Sequence, residues 1–315
     1  MSELLPILEA LVADCEAGRP AALCAVVSTV GSAPQGPGAA MLLRADGSTQ
    51  GTLGGGCVEA EVRSRAFQAM QQAGSTLVEL DLDRDYGWDD GLLCGGKMAI
   101  AVTPIMPGTD LSPYRSAIAA ARRGEAAWVP LVTEHKGQRV EYRLHLEIPP
   151  TLLIAGAGHI GQALARFAVE LDFRVVVIDD RAELAAPQRF ATGVECRVGD
   201  IGQVLRDYPI DAGSYVVIVT RGHKHDRQAL EAVVRRPAGY VGMIGSRRKS
   251  TLILRDLAAA GVPKEQIDRV HTPIGVAIHA LTVPEIAVSI AAELIQVRRQ
   301  STPQLVTGPF AINAG

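Results

Sequence analysis

The stretch Thr151–Ala165, TLLIAGAGHIGQALA, decides the fold of half the chain. Its first five residues form an apolar run that suits a buried strand. GAGHIG, from Gly156 to Gly161, follows at once and leads into apolar residues at helical spacing. Gly156 permits the tight turn, Gly158 lets a pyrophosphate approach the backbone, and Gly161 lets the helix lie close to the sheet. The start of that helix offers free N–H groups and positive potential to an anion. Asp179 ends the next apolar run, 23 residues after Gly156, where a carboxylate would take ribose hydroxyls. Strand, spacing and acid together predict a Rossmann unit, which a lone GxGxxG would not. Whether that unit holds a dinucleotide, another nucleotide-like ligand or nothing is a separate question.

Downstream the chain keeps alternating. Apolar runs at Arg174–Asp179, Glu195–Val198, Ser214–Thr220 and Gly239–Ile244 read as strands. Helical patterns fill about Asp226–Val234 and Arg247–Ala260, and a last one runs about Val283–Arg298. That rhythm predicts a doubly wound parallel sheet. Pro149-Pro150 interrupts the pattern, so the expected divisions are an N-terminal α/β domain over 1–148, the Rossmann-like domain over 149–300, and an irregular tail over 301–315. In the N-terminal part, residues 3–17 share a helical face and Ala22–Val30 reads as a buried strand. Ala45-Asp46-Gly47-Ser48 marks a hairpin, a helix is expected over about Val58–Gln72, and strands over Thr76–Leu82 and Lys97–Thr103. Ser112-Pro113 reads as the cap and first-turn proline of another helix.

The chain has 315 residues, 48% of them hydrophobic, enough to fill two cores. A net charge of −3 gives no basic surplus for a nucleic-acid backbone or an anionic membrane, and 4% aromatics leaves few stacking platforms. No apolar run approaches a membrane span, and the start carries no basic segment of secretory type. The five cysteines are odd in number, widely spaced and without CxxC, which predicts a reduced, cytoplasmic protein.

Two cysteines stand beside paired glycines. In GGGCVE, Gly54, Gly55 and Gly56 lead into a helix with Cys57 at its start and Glu59 behind it, a setting for anion binding and for a thiolate. The bland alternative is a small buried residue at a close contact. Cys94 with Gly95 and Gly96 is sterically open to a bulky ligand, and the two loops are expected to share a cleft if both end on one edge of the sheet. Cys15, Cys24 and Cys196 lie in apolar runs and read as core. In the second half His159 sits within the glycine turn, where it either reaches a ligand or faces solvent. TRGHKHD, Thr220 to Asp226, puts His223 at the carboxyl end of a strand; His-x-His without a further ligand is thin support for a metal, and a site-lining role fits better. GSRRKS, Gly245 to Ser250, offers Ser246, Arg247 and two more cations at a helix start, as a phosphate clamp or as a solvated face.

These pieces in this order resemble the xanthine dehydrogenase accessory family, XdhC/CoxI. The matching stretches are GSAP, GAAMLLRADGS, GTLGGGCVEAEV and CGG in the first half, then LLIAGAGHIGQALA, TRGHKHD, YVGMIGSRRK and HTPIG with EIAVSIAAELI. The resemblance implies an N-terminal α/β domain followed by a Rossmann domain, commonly as a homodimer. It implies a maturation factor that binds molybdenum cofactor as cargo, assists exchange of an oxo ligand for sulfido with sulfur from a cysteine desulfurase, and hands the cofactor to an apo xanthine dehydrogenase or related molybdenum hydroxylase. Cys57 and Cys94 would then handle sulfur. The sequence departs from the family at Gln35, where arginine is usual after GSAP, and at His279, where glycine is usual; Pro284 is displaced by one position. Two other functions compete: an NAD(P)-dependent oxidoreductase, suggested by the fingerprint and Asp179 but without a recognisable hydride-site acid, and a nucleotide-binding regulatory module. If a dinucleotide binds, the acids Asp179 and Asp180 favour NAD over NADP.

Overall fold

The computed structural model describes residues 4–82, 95–301 and 305–308. It divides into two compact units that meet in sequence at Ile148–Pro149.

The first unit begins with α1 (Leu4–Glu16), β1 (Ala21–Val30), the hairpin β2 (Ala40–Arg44) and β3 (Thr49–Gly51), and α2 (Gly56–Gln72). It continues through β4 (Thr76–Asp81), β5 (Lys97–Ile105), α3 (Ser112–Arg122), β6 (Ala127–His135) and β7 (Gln138–Leu146). Five strands form a sheet in the order β3-β2-β1-β5-β4. β1 lies at its centre, antiparallel to β2 and β5. Its side chains alternate between two cores, as the two-residue period of a strand requires. Leu23 and Ala25 face α1, α3 and the β6–β7 hairpin, whereas Ala22, Cys24 and Val26 face α2. Cys24 is wholly buried and burial pushes its thiol up to about 12, so it is an inert core residue. Ser112 is not the cap of α3: the helix is preceded by Leu111, and Asp110 accepts both the Ser112 N–H and its hydroxyl. The hydroxyl is therefore already spent on the preceding turn.

The second unit contains β8 (Thr151–Ala155), α4 (His159–Glu170), β9 (Arg174–Asp179), β10 (Glu195–Val198), α5 (Ile201–Asp207), β11 (Ser214–Ile218) and α6 (His223–Val233). β12 (Tyr240–Met243), α7 (Arg247–Ala259), α8 (Lys264–Asp268), β13 (Val270–His271) and α9 (Val283–Ser301) complete it. Its six strands run β10-β9-β8-β11-β12-β13, with every pair parallel. The sheet is covered on one face by α5, α6 and α7 and on the other by α4 and α9. This is the Rossmann arrangement, and β8 and β11 flank the point where strand order reverses. Cys196 on β10 is only half-buried, because β10 is an edge strand; the core reading of this residue does not hold. Burial and the neighbouring Glu195 carboxylate still raise its thiol.

Beyond α9 the chain is not wholly irregular. β14 (Val306–Thr307) pairs antiparallel with β7, and the Leu305 carbonyl accepts the His145 N–H. These residues therefore belong to the three-stranded sheet β14-β7-β6 of the first unit.

Candidate functional site

In the first unit three glycine loops converge at the end of β1. The Gly31 backbone lies so close to the Gly95 carbonyl that an added Cβ would stand 2.9 Å from it. A Cβ on Gly96 would stand 2.1 Å from the Ser32 carbonyl oxygen, and one on Gly54 2.6 Å from the Pro34 side chain. The loop carrying GSAP is thus gripped from one side by Gly95-Gly96 and from the other by the GGGC loop. Glycine is required here by close backbone approach. Cys94 lies outside the described residues.

Glu59 organises the GGGC loop from within. Its Oε1 accepts the Thr52 hydroxyl at 2.7 Å and the N–H groups of Leu53 and Gly55 at 3.0 Å each. Burial works to raise its carboxyl, but these donors outweigh burial and hold it below the ordinary glutamate range. The Gly54 N–H is taken by Thr52 Oγ1. Glu59 is therefore a loop brace, and with its charge directed at this turn the anion-binding capacity expected of the glycines is partly consumed. The donors left at this turn are those at the start of α2, beside the half-buried Cys57. Gly55 and Gly56 have open space where a side chain would be, so a ligand can approach them.

In the second unit the sequence-derived site residues gather at the carboxyl ends of the parallel strands. Gly156 has a φ of 117°, and a Cβ there would meet the Val219 carbonyl at 2.5 Å. One on Gly161 would lie 1.9 Å from the Gly156 carbonyl. Both glycines are packing requirements. Gly158 differs: it caps α4 with ordinary dihedrals and nothing within 4 Å of a Cβ position. His159, the first residue of α4, is exposed.

Asp179 is committed elsewhere than to a ribose. It is 1% exposed. Its Oδ2 accepts the Ala157 N–H at 2.8 Å and Arg181 Nη2 at 2.9 Å; its Oδ1 accepts the Arg181 N–H at 3.0 Å and Nε at 2.8 Å. Burial would raise the carboxyl, but the Arg181 guanidinium and the two backbone donors overcome it and bring it down to about 2. Both oxygens are in use, and the carboxylate braces the glycine turn. The carboxylate expected to take ribose hydroxyls thus already holds four donors. Asp180 is bound by Arg221 at 2.8 Å.

The loops after β11 and β12 meet through Asp226, which is fully buried on the first turn of α6. It accepts the Thr220 hydroxyl at 2.5 Å and the Lys249 ammonium. Above this pair lies a cleft of about 590 Å³ lined by His223, Ser246, Arg248, Lys249 and Arg255 among others. Ser246 caps α7 by accepting the Lys249 N–H. Arg247 is exposed and does not line the cleft. The motifs TRGHKHD and GSRRKS did contain these residues, but only the fold joins Asp226 to Lys249. His279 has a φ of 57°, the left-handed region, so imidazole occupies a backbone position for which glycine is the natural residue. Among the described residues no three of His, Cys, Asp and Glu gather as a metal-binding set, and no helix is long and apolar enough to cross a membrane.

Residues 152–294 match the family model for the XdhC Rossmann domain, and residues 15–81 match that of the XdhC and CoxI family. The chain is 31% identical to an uncharacterized protein of Escherichia coli K12, YqeB, over 93% of its own length and 46% of that relative, so it spans about half of YqeB. It is 27% identical to a probable xanthine dehydrogenase subunit of Bacillus subtilis, over 95% of this chain and 99% of the relative. It is also 27% identical to the molybdenum cofactor insertion chaperone PaoD of E. coli K12, over 93% of this chain and 88% of PaoD.

Proposed function

The chain belongs to the XdhC and CoxI family, and on that premise we propose that it is a maturation factor that receives molybdenum cofactor as cargo and delivers it to an apo xanthine dehydrogenase or a related molybdenum hydroxylase. The observation that carries this reading is the glycine junction beside Cys57. Gly31, Gly54 and Gly96 bring three loops together without side chains between them, next to a half-buried thiol at a helix start. Such a junction fixes the GGGC loop, while Gly55 and Gly56 leave its backbone open to a flat, polar ligand beside that sulfur atom. The likeness to PaoD supports cargo of this kind.

The finer reading is that Cys57, and with it Cys94, handles sulfur when an oxo ligand of the cargo is exchanged for sulfido. The donor is a cysteine desulfurase, and the working form is a cytoplasmic homodimer. The NAD(P)-dependent oxidoreductase reading loses its main support, because the acid that would hold the ribose is saturated by Arg181 and Ala157. The test is delivery. The full chain, loaded with cofactor released from a molybdoenzyme, should restore activity to an apo molybdenum hydroxylase, and Cys57→Ala should retain the pterin yet deliver less sulfido cofactor. A wild-type chain that keeps no pterin would end the proposal.

A further inference from the structure

We propose that the Rossmann unit takes a phosphomonoester at the starts of α6 and α7, over the ends of β11 and β12, and does not hold a dinucleotide across its glycine turn. The anion site is argued from the Rossmann unit alone and does not depend on the cargo reading, although molybdopterin carries a group of this class.

The dinucleotide path is closed at the place that defines it. Beyond the commitment of both Asp179 oxygens, one further feature lies on that path. Asp180 follows β9 and Arg221 follows β11, and their ion pair at 2.8 Å joins the ends of two strands that have β8 between them. It therefore spans the mouth of the glycine turn. The pair is exposed and easily broken, so the saturated Asp179 is the stronger barrier.

The open site lies one strand further on. Its cleft of about 590 Å³ is within the range of small-molecule pockets. Charge decides what the cleft accepts. Lys249 is neutralised by the buried Asp226, which leaves Arg248 and Arg255 in surplus. Among the described residues no carboxylate pairs with either arginine, and His223 and the Ser246 hydroxyl add two more polar groups. Gly222 precedes α6 with no side-chain cap, so no side chain takes the first N–H groups of the helix that His223 begins. Guanidinium groups match phosphate oxygens bidentately, and a terminal phosphate presents three such oxygens. The Asp226–Lys249 bond holds the two loops in register, and the Thr220 hydroxyl braces Asp226 from its own loop.

The test uses the full chain and an Arg248→Ala/Arg255→Ala variant. Both residues are exposed, so the fold should persist; circular dichroism checks this, and single variants replace the double one if it does not. The probe is inorganic phosphate, read as a rise in melting temperature against sodium chloride of equal ionic strength. Wild type should respond saturably, and the variant should bind more weakly by about tenfold or more, the loss expected for charge-assisted contacts. No phosphate-specific rise in wild type, or an equal rise in the variant, would overturn the site. NAD should stabilise less than AMP, whose phosphate is terminal; tighter binding of NAD that Gly158→Val abolishes would overturn the proposal. Displacement of phosphate by released molybdenum cofactor would support both readings. Phosphate binding that the cofactor does not displace would leave the anion site standing and remove the cofactor from it.

Discussion

Arg181→Ala tests the reassignment of Asp179 from ribose ligand to brace of the glycine turn. The guanidinium supplies two of the four hydrogen bonds to a carboxylate that is 1% exposed. The difference between the ordinary aspartate value of 3.8 and about 2 in the folded chain corresponds to about 2 kcal/mol of stability. Removing one partner of a buried pair costs about 3–5 kcal/mol in general. Arg181 itself is partly exposed, so a loss of about 2 kcal/mol is expected at pH 7. The sign in pH follows from the lowered folded value. The contribution is complete above the unfolded aspartate range and disappears as pH falls through the folded value, so the gap between wild type and variant should shrink to roughly half by pH 3. Denaturation followed by far-ultraviolet circular dichroism at both pH values reads the loss. A difference under about 0.5 kcal/mol at pH 7, or one unchanged at pH 3, would refute the brace.

Gly96→Ala should destabilise the first unit and lower cofactor retention, because the new Cβ would meet the carbonyls of Ser32 and Val30 at 2.1 and 2.8 Å; thermal melting and pterin content check it. Gly158→Ala should leave melting unchanged, since that position is open and its dihedrals are ordinary. Glu59→Ala should cost about 1–3 kcal/mol by freeing the Leu53 and Gly55 N–H groups and the Thr52 hydroxyl, with faster hydrogen exchange confined to the GGGC loop. Because the Glu59 carboxyl is held low, the wild-type advantage should be present at neutral pH and fade on acidification through the glutamate range. Alkylation should reach Cys57 but not Cys24, whose burial holds the thiol at about 12; mass spectrometry of the labelled peptides reads the result.

The Rossmann unit was legible because its signals are local. Strand, glycine turn and helix lie within fifteen residues, and each glycine has a steric reason that the structure bears out for Gly156 and Gly161. The β6–β7 hairpin was missed although Val129, Leu131 and Thr133 alternate inward and Lys136-Gly137 supplies two left-handed residues. Pro130 in the first strand argues against a ladder there, and only pairing at a sheet edge makes it tolerable. The Arg181 contact with Asp179 is not legible for a different reason. Spacing from the glycine turn fixes where the carboxylate stands, but not that an arginine two residues later folds back over it. Lys249 and Asp226 show the same limit at longer range, since 23 residues of sequence separate two groups in direct contact. The Glu59 brace lay within reach, because a carboxylate three or four residues into a helix often bonds back to the preceding loop.

The most direct test of the central claim is pterin retention coupled to delivery. The purified chain is incubated with molybdenum cofactor released from a molybdoenzyme, separated from free cofactor, assayed for pterin by its fluorescent oxidation product, and mixed with an apo molybdenum hydroxylase. The account predicts that pterin stays with the chain and that the loaded chain restores hydroxylase activity. Absence of retained pterin, or activation no greater than that given by free cofactor alone, would contradict it.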